Sequence, residues 1–203
     1  MSLSPSRLST AAYKCTTCLQ LPPACARGTN AGLKQGTPER GFFSEKRIMT
    51  ENGLYKVKDK YFTDYKSKHW IENKKEGRPY YYALKDKDGI YWLIPLSKQV
   101  VNYNAKISKE EQKRGVGNCI YYHIGKIGGN DRVFIISDMF PVDDDYISGE
   151  YIISGIHYVV KNKSLISEVK SKAMRYMKLI EVGQLHSRND VQGIKQKLLN
   201  KDK

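Results

Sequence analysis

The stretch RPYYYALKDKDGIYWLIPLSK, residues 78–98, constrains the fold of this chain more than any other. Tyr80 to Leu84 and Ile90 to Leu96 are dense in aromatic and branched residues, which suit a pleated and largely buried surface. Between them KDKDG closes on Asp88-Gly89, a dipeptide that supplies the positive φ of a tight turn. The segment therefore reads as a β-hairpin. Alternation along the first strand puts Tyr80 and Tyr82 on one face and Tyr81 on the other. Pro95 and Leu96 should end or bend the second strand, which sets Ser97 and Lys98 at the rim of the sheet, with Arg78 at the hairpin's opening.

The flanking sequence supplies both helices and strands. DKYFTDYKSKHWIE, residues 59–72, spaces Tyr61, Phe62, Tyr65 and His69 by threes and fours, which predicts a short amphipathic helix capped by Asp59. Gly77 and Pro79 then break it. Ser108 stands three residues before Glu111, a capping box that predicts a brief helix over 108–114. NCIYYHIGKI and DRVFIISDMF read as two more strands joined at Gly128-Gly129-Asn130. Beyond an acidic run, Asp143 to Asp145, which reads as a solvated turn, Ser164 is placed to cap a long helix. Its apolar stripe is Ile166, Val169, Ala173, Met177 and Ile180, with Lys170, Lys172, Arg175 and Lys178 largely off it. Gly183 ends that helix, and a second, from about Ser187, carries Val191, Ile194 and Leu198. The sum is an α+β protein with a compact antiparallel sheet or small barrel and added helices.

The chain of 203 residues is 40% hydrophobic, enough for one domain with a core. No apolar run approaches the roughly 18–20 residues of a membrane span, and a cytoplasmic protein is expected. Residues 1–48 differ in character: they hold three of the four Cys and four of the seven Pro but only one of the 15 Tyr. They read as a disordered or non-native extension, with a single domain over 49–203 starting at Met49. Cys15, Cys18 and Cys25 fall short of the four ligands of a structural zinc site, so no metal is expected there.

Lys and Arg number 35 against 21 Asp and Glu, a net charge of +14. A basic, tyrosine-rich surface points to a polyanion, and to nucleic acid before lipid. Neither a phosphate-binding Gly-rich loop nor a paired-His metal motif is present. What remains is a cation-rich inventory around the hairpin, suited to RNA cleavage without a metal or other cofactor. There the ribose 2′-hydroxyl attacks its own phosphorus, and the protein supplies a base, an acid and charge for the phosphorane. Lys98 would neutralise the phosphorane and Ser97 would hydrogen-bond a phosphate oxygen or the 2′-hydroxyl. Arg78 would fork onto a phosphate, and His123 would carry a proton. Tyr80 and Tyr82 would offer stacking surfaces to bases. Each residue has an ordinary reading beside the chemical one: a strand-ending serine, a solvated lysine, a loop arginine, a buried histidine and core rings.

Three segments, LYKVKDKYFTDYK, the hairpin itself and VFIISDMFPV, together resemble the toxins of type III toxin–antitoxin systems, the ToxN, AbiQ and CptN group. That family carries a hairpin of the form (K/R)-x-(aromatic)-x-x-x-(V/A)-L, a Gly turn, Y-x-x-P-L-(S/T), and a later strand ending M-(I/F)-P-(I/V), followed by a long basic helix. The match runs from about Gly53 to Asn200 in the same order. The resemblance implies an SH3-like barrel similar to Kid and MazF, with added helices including a long basic one towards the C-terminus. It implies a metal-independent, sequence-selective endoribonuclease toxin that leaves a 2′,3′-cyclic phosphate and acts in abortive phage infection. Its inhibitor would be a repetitive pseudoknot RNA antitoxin, bound in a cyclic protein–RNA assembly. Ser97 matches the family's Ser or Thr after Pro-Leu, Arg78 matches a basic residue before the first hairpin strand, and His123 has a looser counterpart. Lys98 departs from the family's Thr-Ser-Pro-Lys order. Lys170, Lys172, Arg175 and Lys178 are expected to touch RNA phosphates. The alternative is a non-catalytic RNA-binding module.

Overall fold

The computed structural model describes residues 49–201, so residues 1–48, with Cys15, Cys18 and Cys25, lie outside the described residues. Strands β1 (Leu54–Val57), β2 (Tyr80–Lys85), β3 (Tyr91–Ser97), β4 (Tyr122–Ile127), β5 (Asn130–Ile135), β6 (Phe140–Val142) and β7 (Ile147–Glu150) form one antiparallel sheet. Its order is β4-β5-β3-β2-β1-β7, with β6 also on β3. A separate two-stranded ladder, β8 (Ile152–Ile153) with β9 (Ile156–His157), follows. The helices are α1 (Asp59–Asp64), α2 (Val100–Arg114), α3 (Lys163–Glu181) and α4 (Val191–Lys201).

The α+β class and antiparallel sheet match the sequence reading, but the sheet is not closed into a barrel. Strands β4 and β7 end the order without pairing. The chain leaves β7 at Glu150 and turns into the β8-β9 ladder, and it is the Tyr158 hydroxyl, not a strand backbone, that meets the β4-β5 turn by accepting from Gly128 N–H at 2.8 Å. Side-chain contact fills the gap that a barrel would bridge with a ladder.

The hairpin forms as its sequence demands, with Gly89 at φ 84°. Asp86 organises the turn: its carboxylate accepts from Asp88 N–H and Ile90 N–H, both at 3.0 Å, and from Trp92 Nε1 at 3.1 Å. Lys195 of α4 reaches Asp86 at 2.8 Å and Asp88 at 2.6 Å, so the turn is clamped to a helix over 100 residues away in sequence. Pro95 does not end β3, which runs on to Ser97. Leu96 donates its N–H to Pro79 O on the β2 side, so alternation points the donorless Pro95 nitrogen to the other edge. There β6 has stopped at Leu93 and β5 begins at Leu96, and the 3₁₀ turn Ile136–Asp138 occupies the break.

Three helices differ from expectation. Helix α1 stops at Asp64 because the following segment folds back over it: Trp70 Nε1 donates to Tyr65 O at 2.6 Å, and Asn73 Nδ2 donates to Val57 O and to Asp59 Oδ1. Asp59 is thereby engaged elsewhere and caps nothing. Helix α2 spans 15 residues with Ser108 in its interior, since Val100, Tyr103 and Ile107 give it an apolar side that packs on β4 and β5. Helix α3 is capped by Asn162, whose side chain accepts from Leu165 N–H at 3.2 Å. Its buried stripe is Leu165, Val169, Ala173 and Tyr176, rotated from the one expected. The acidic run is not simply solvated, for Lys201 pairs with Asp145 at 2.7 Å and Asp143 at 3.4 Å.

The main core is aromatic. Tyr61 is fully buried, its hydroxyl donates to Pro141 O at 2.7 Å, and its ring meets Phe62, Tyr65, Trp70, Phe140 and Tyr146.

Burial alone would raise the Asp86 carboxyl, but Lys195, Trp92 and the Ile90 N–H outweigh it and hold it below the usual carboxylate value. The unfolded chain then takes up this proton first, so the stabilisation is complete above about pH 4 and disappears as pH falls through the lower folded value. Asp86→Asn is expected to lower stability at pH 7 by about 2 kcal/mol. Urea denaturation at pH 7 and at pH 3 checks this, with the difference from wild type shrinking in acid.

Candidate active site

Ser97 and Lys98 stand where β3 passes into α2. The Ser97 hydroxyl accepts from Gln99 N–H at 3.2 Å, and Val100 N–H donates to Lys98 O at 2.9 Å, a turn that starts the helix. Lys98 is exposed. Arg78 is buried immediately beneath: Nη1 donates to Leu96 O at 2.8 Å and Nε to Glu72 O at 2.7 Å. The structure thus brings Arg78, Ser97 and Lys98 together, with the guanidinium bonded to the carbonyl that precedes Ser97. Arg78 is a cross-brace here, with two of its five donors committed to backbone.

The preceding loop holds Arg78 in place. Lys74, Lys75 and Glu76 have φ of 56°, 51° and 60°, three successive residues in the left-handed region. Such a turn costs roughly 1–2 kcal/mol per residue, and its anchors offset this. The Glu76 carboxylate accepts from Asp59 N–H at 3.1 Å and from the Ser148 hydroxyl, and Asn73 Oδ1 accepts from the Tyr80 hydroxyl at 2.8 Å.

His123 is elsewhere. Register aligns Ser97 with Val133 and Ile124, and Leu96 with Phe134 and His123. Residues paired directly across share a face, so His123 lies on the opposite face from Ser97. Its ring is 6.3 Å from that of Phe134, and Nε2 is 3.8 Å from Glu168 Oε2 on α3. Burial lowers its pKa and Lys172 adds to that, while Glu168 opposes them. Tyr80 and Tyr82 are core residues, 1% and 5% exposed, so neither ring is open to a base. Tyr80 stacks on Phe62, and Tyr82 meets Tyr91 edge-on. On α3, Lys170 is paired with Glu51 at 2.8 Å and Lys172 leans on Tyr122 O at 3.4 Å, while Arg175 and Lys178 are exposed.

The face of the sheet that carries Ser97 also carries groups that sequence reasoning missed. Helix α2 lays Tyr103 against Tyr122, rings 5.0 Å apart, with Lys106 Nζ 4.5 Å above the Tyr103 ring. Asp138, at the end of the 3₁₀ turn, is 8% exposed. Burial raises its carboxyl pKa, against the pull of Arg188, Ser137, Lys106 and His69. Burial likewise raises Tyr103, with Asp138 adding and Arg78 and Arg188 opposing. Tyr103 therefore lies within electrostatic reach of both Asp138 and Arg78. An open cleft of about 480 Å³ adjoins this group, with Lys106, Lys109, Lys113, His186 and Arg188 on its walls. The spacing of Lys106, Lys109 and Lys113 at i, i+3 and i+7 was the available signal, hidden because the helix was read as starting at Ser108. Among the described residues no three His, Cys, Asp or Glu side chains gather in a metal-binding group, and no helix is long and apolar enough to cross a membrane.

No family model matches the chain, and no curated protein matches its sequence. Among solved structures it is similar to AbiQ, a lactococcal anti-phage endoribonuclease belonging to the type-III toxin-antitoxin system. The identity is 17% and the TM-score 0.45, over 64% of this chain and 82% of that one. A likeness of this extent assigns no residue a role.

The environment of His123 gives a direct check on its placement. Its NMR titration should fall below the ordinary 6.5, Lys172→Met should move it up, and Glu168→Gln should move it further down. A His123 that titrates normally and ignores both changes would contradict the packing of α3 on β4.

Proposed function

We propose that this protein is a metal-independent endoribonuclease toxin of the type III class, acting at the rim formed by Arg78, Ser97 and Lys98. The observation that carries the reading is the joining of these residues at one strand end, by the bond from Arg78 Nη1 to Leu96 O. The sequence resemblance along Gly53 to Asn200 supports it. In the reaction, a ribose 2′-oxygen loses its proton and bonds to the adjacent phosphorus. The bond from phosphorus to the 5′-oxygen breaks, that oxygen takes up a proton, and a 2′,3′-cyclic phosphate remains.

In this reading the residues of the rim divide the work. Ser97 Oγ already accepts from Gln99 N–H, so its own proton is available to a non-bridging phosphate oxygen. Lys98, exposed beside it, meets the charge that builds on the phosphorane. Arg78 positions the strand end from below and adds positive potential. His123, on the opposite face, has no part in this reading, and neither have the buried rings of Tyr80 and Tyr82. Arg175 and Lys178 are the exposed cations of α3 suited to phosphates of an inhibitory RNA, which in this reading is a repetitive pseudoknot RNA closing a cyclic assembly with the protein.

A second reading, a binding module without catalysis, draws on one observation: the Ser97 hydroxyl makes an ordinary helix-starting turn. Incubation of the protein with a long single-stranded RNA in excess EDTA separates the two. Discrete cuts ending in 2′,3′-cyclic phosphate are expected, with a loss of at least a hundredfold in rate for Ser97→Ala, Lys98→Ala. Intact RNA bound to folded protein would establish the module instead. Arg175→Ala, Lys178→Ala should weaken inhibition by the RNA antitoxin at least fivefold while cleavage of free RNA stays within twofold. Equal loss of both would remove α3 from the inhibitor surface.

A further inference from the structure

We infer that the cleft between α2 and the α3-α4 connection is a binding groove for single-stranded RNA, distinct from the cleavage rim and leading the strand towards it. This rests on the ribonuclease reading for its direction, but not for its chemistry. Lys106, Lys109 and Lys113 line one wall from successive turns of α2, and His186 and Arg188 line the other. The lysines and Arg188 are exposed. The one carboxylate on the walls, Glu110, is occupied by Lys113 at 3.8 Å and Arg114 at 3.3 Å. Net positive charge thus faces an open cleft of about 480 Å³.

Aromatic rings favour unpaired bases over a duplex. Tyr121, half-buried, borders the cleft with its ring partly open, while Tyr122 and Tyr176 form its buried floor. Lys106 lies over Tyr103 and Tyr122, and the Arg114 guanidinium lies 5.5 Å from the centre of the Tyr121 ring while its Nη2 donates to that hydroxyl at 3.1 Å. Cations beside an accessible ring are the arrangement that tracks a single strand, phosphates on the lysines and a base on Tyr121. An A-form helix would hide its base edges from such a wall. Continuity with the rim comes through α2, which begins two residues after Lys98 and carries Lys106, Lys109 and Lys113 to the cleft.

The test is fluorescence anisotropy of a labelled 12-nucleotide single-stranded RNA on the full chain carrying Ser97→Ala and Lys98→Ala, so that the probe survives. In that background Lys106→Ala, Lys109→Ala, Arg188→Ala should weaken binding at least tenfold at 0.1 M salt. It should also flatten the slope of log affinity against log salt by about two, since each phosphate contact on a single strand contributes roughly 0.7. The same number of exposed cations removed elsewhere, with Lys85→Ala, Lys87→Ala, Lys126→Ala, should change affinity less than threefold. Equal losses in the two triples, tighter binding of a 12-base-pair duplex, or no change in the α2 triple would each overturn the groove. Loss of binding in the triple together with an intact RNA after incubation with wild type would keep the groove and discard the nuclease.

Discussion

Pro95 in the middle of the sheet is the constraint on which the arrangement of this molecule depends. A proline inside a central strand leaves one ladder position without a donor, and here that position faces the edge where β5 gives way to β6. The chain uses the interruption to lift Ile136–Asp138 out of the ladder as a 3₁₀ turn. Ser137 is thereby delivered to the cleft, while Met139 and Phe140 return to the core. Because Leu96 is then free to pair on both sides, Ser97 ends the strand at a fixed height above Arg78.

The two faces of the sheet carry different burdens. One is closed by α3 and holds Tyr81, Phe134 and His123, with Leu165 pressed so near Gly125 that any side chain there would collide with it. The other is closed by α1 over Tyr80 and Phe140, but at its β4-β5 end it is covered only in part by α2, whose apolar side is thin, and the rest of that helix turns lysines to the open cleft. A helix held by three partly buried residues, Val100, Tyr103 and Ile107, contributes modestly to stability, and its exposed cations are placed for a ligand rather than for folding.

Much of the fold was legible where local chemistry and tertiary structure agreed. The Asp88-Gly89 and Gly128-Gly129 turns, the alternating strands and the breaker at Gly77 to Pro79 all lie as their residue types dictate. The reading failed where a distant partner overrode a local signal. Asp59 looked like a cap but is claimed by Asn73, and Ser108 looked like a helix start but sits two turns inside one. Pro95 looked like a strand end, and only the offset of β5 from β6 makes it tolerable within β3. Of the candidate site, the adjacency of Ser97 and Lys98 could be read directly and the proximity of Arg78 followed from the hairpin. That His123 faces away, and that Asp138 and Arg188 come within electrostatic reach of Tyr103, depends on register and on a loop closing from the far end of the chain, which no local pattern encodes.

The left-handed run at Lys74 to Glu76 bears on when the rim comes into being. No isolated peptide of Lys, Lys and Glu holds three such residues in succession. The run persists because Asn73 and Glu76 grip β1, α1 and β7, and β7 is made of residues some seventy positions later. The hairpin can therefore form before the loop that leads into Arg78 has its last anchor, the bond from Ser148 to Glu76. The left-handed loop beneath the rim is thus tied to the last strand of the sheet, and whatever loosens β7 loosens that loop as well.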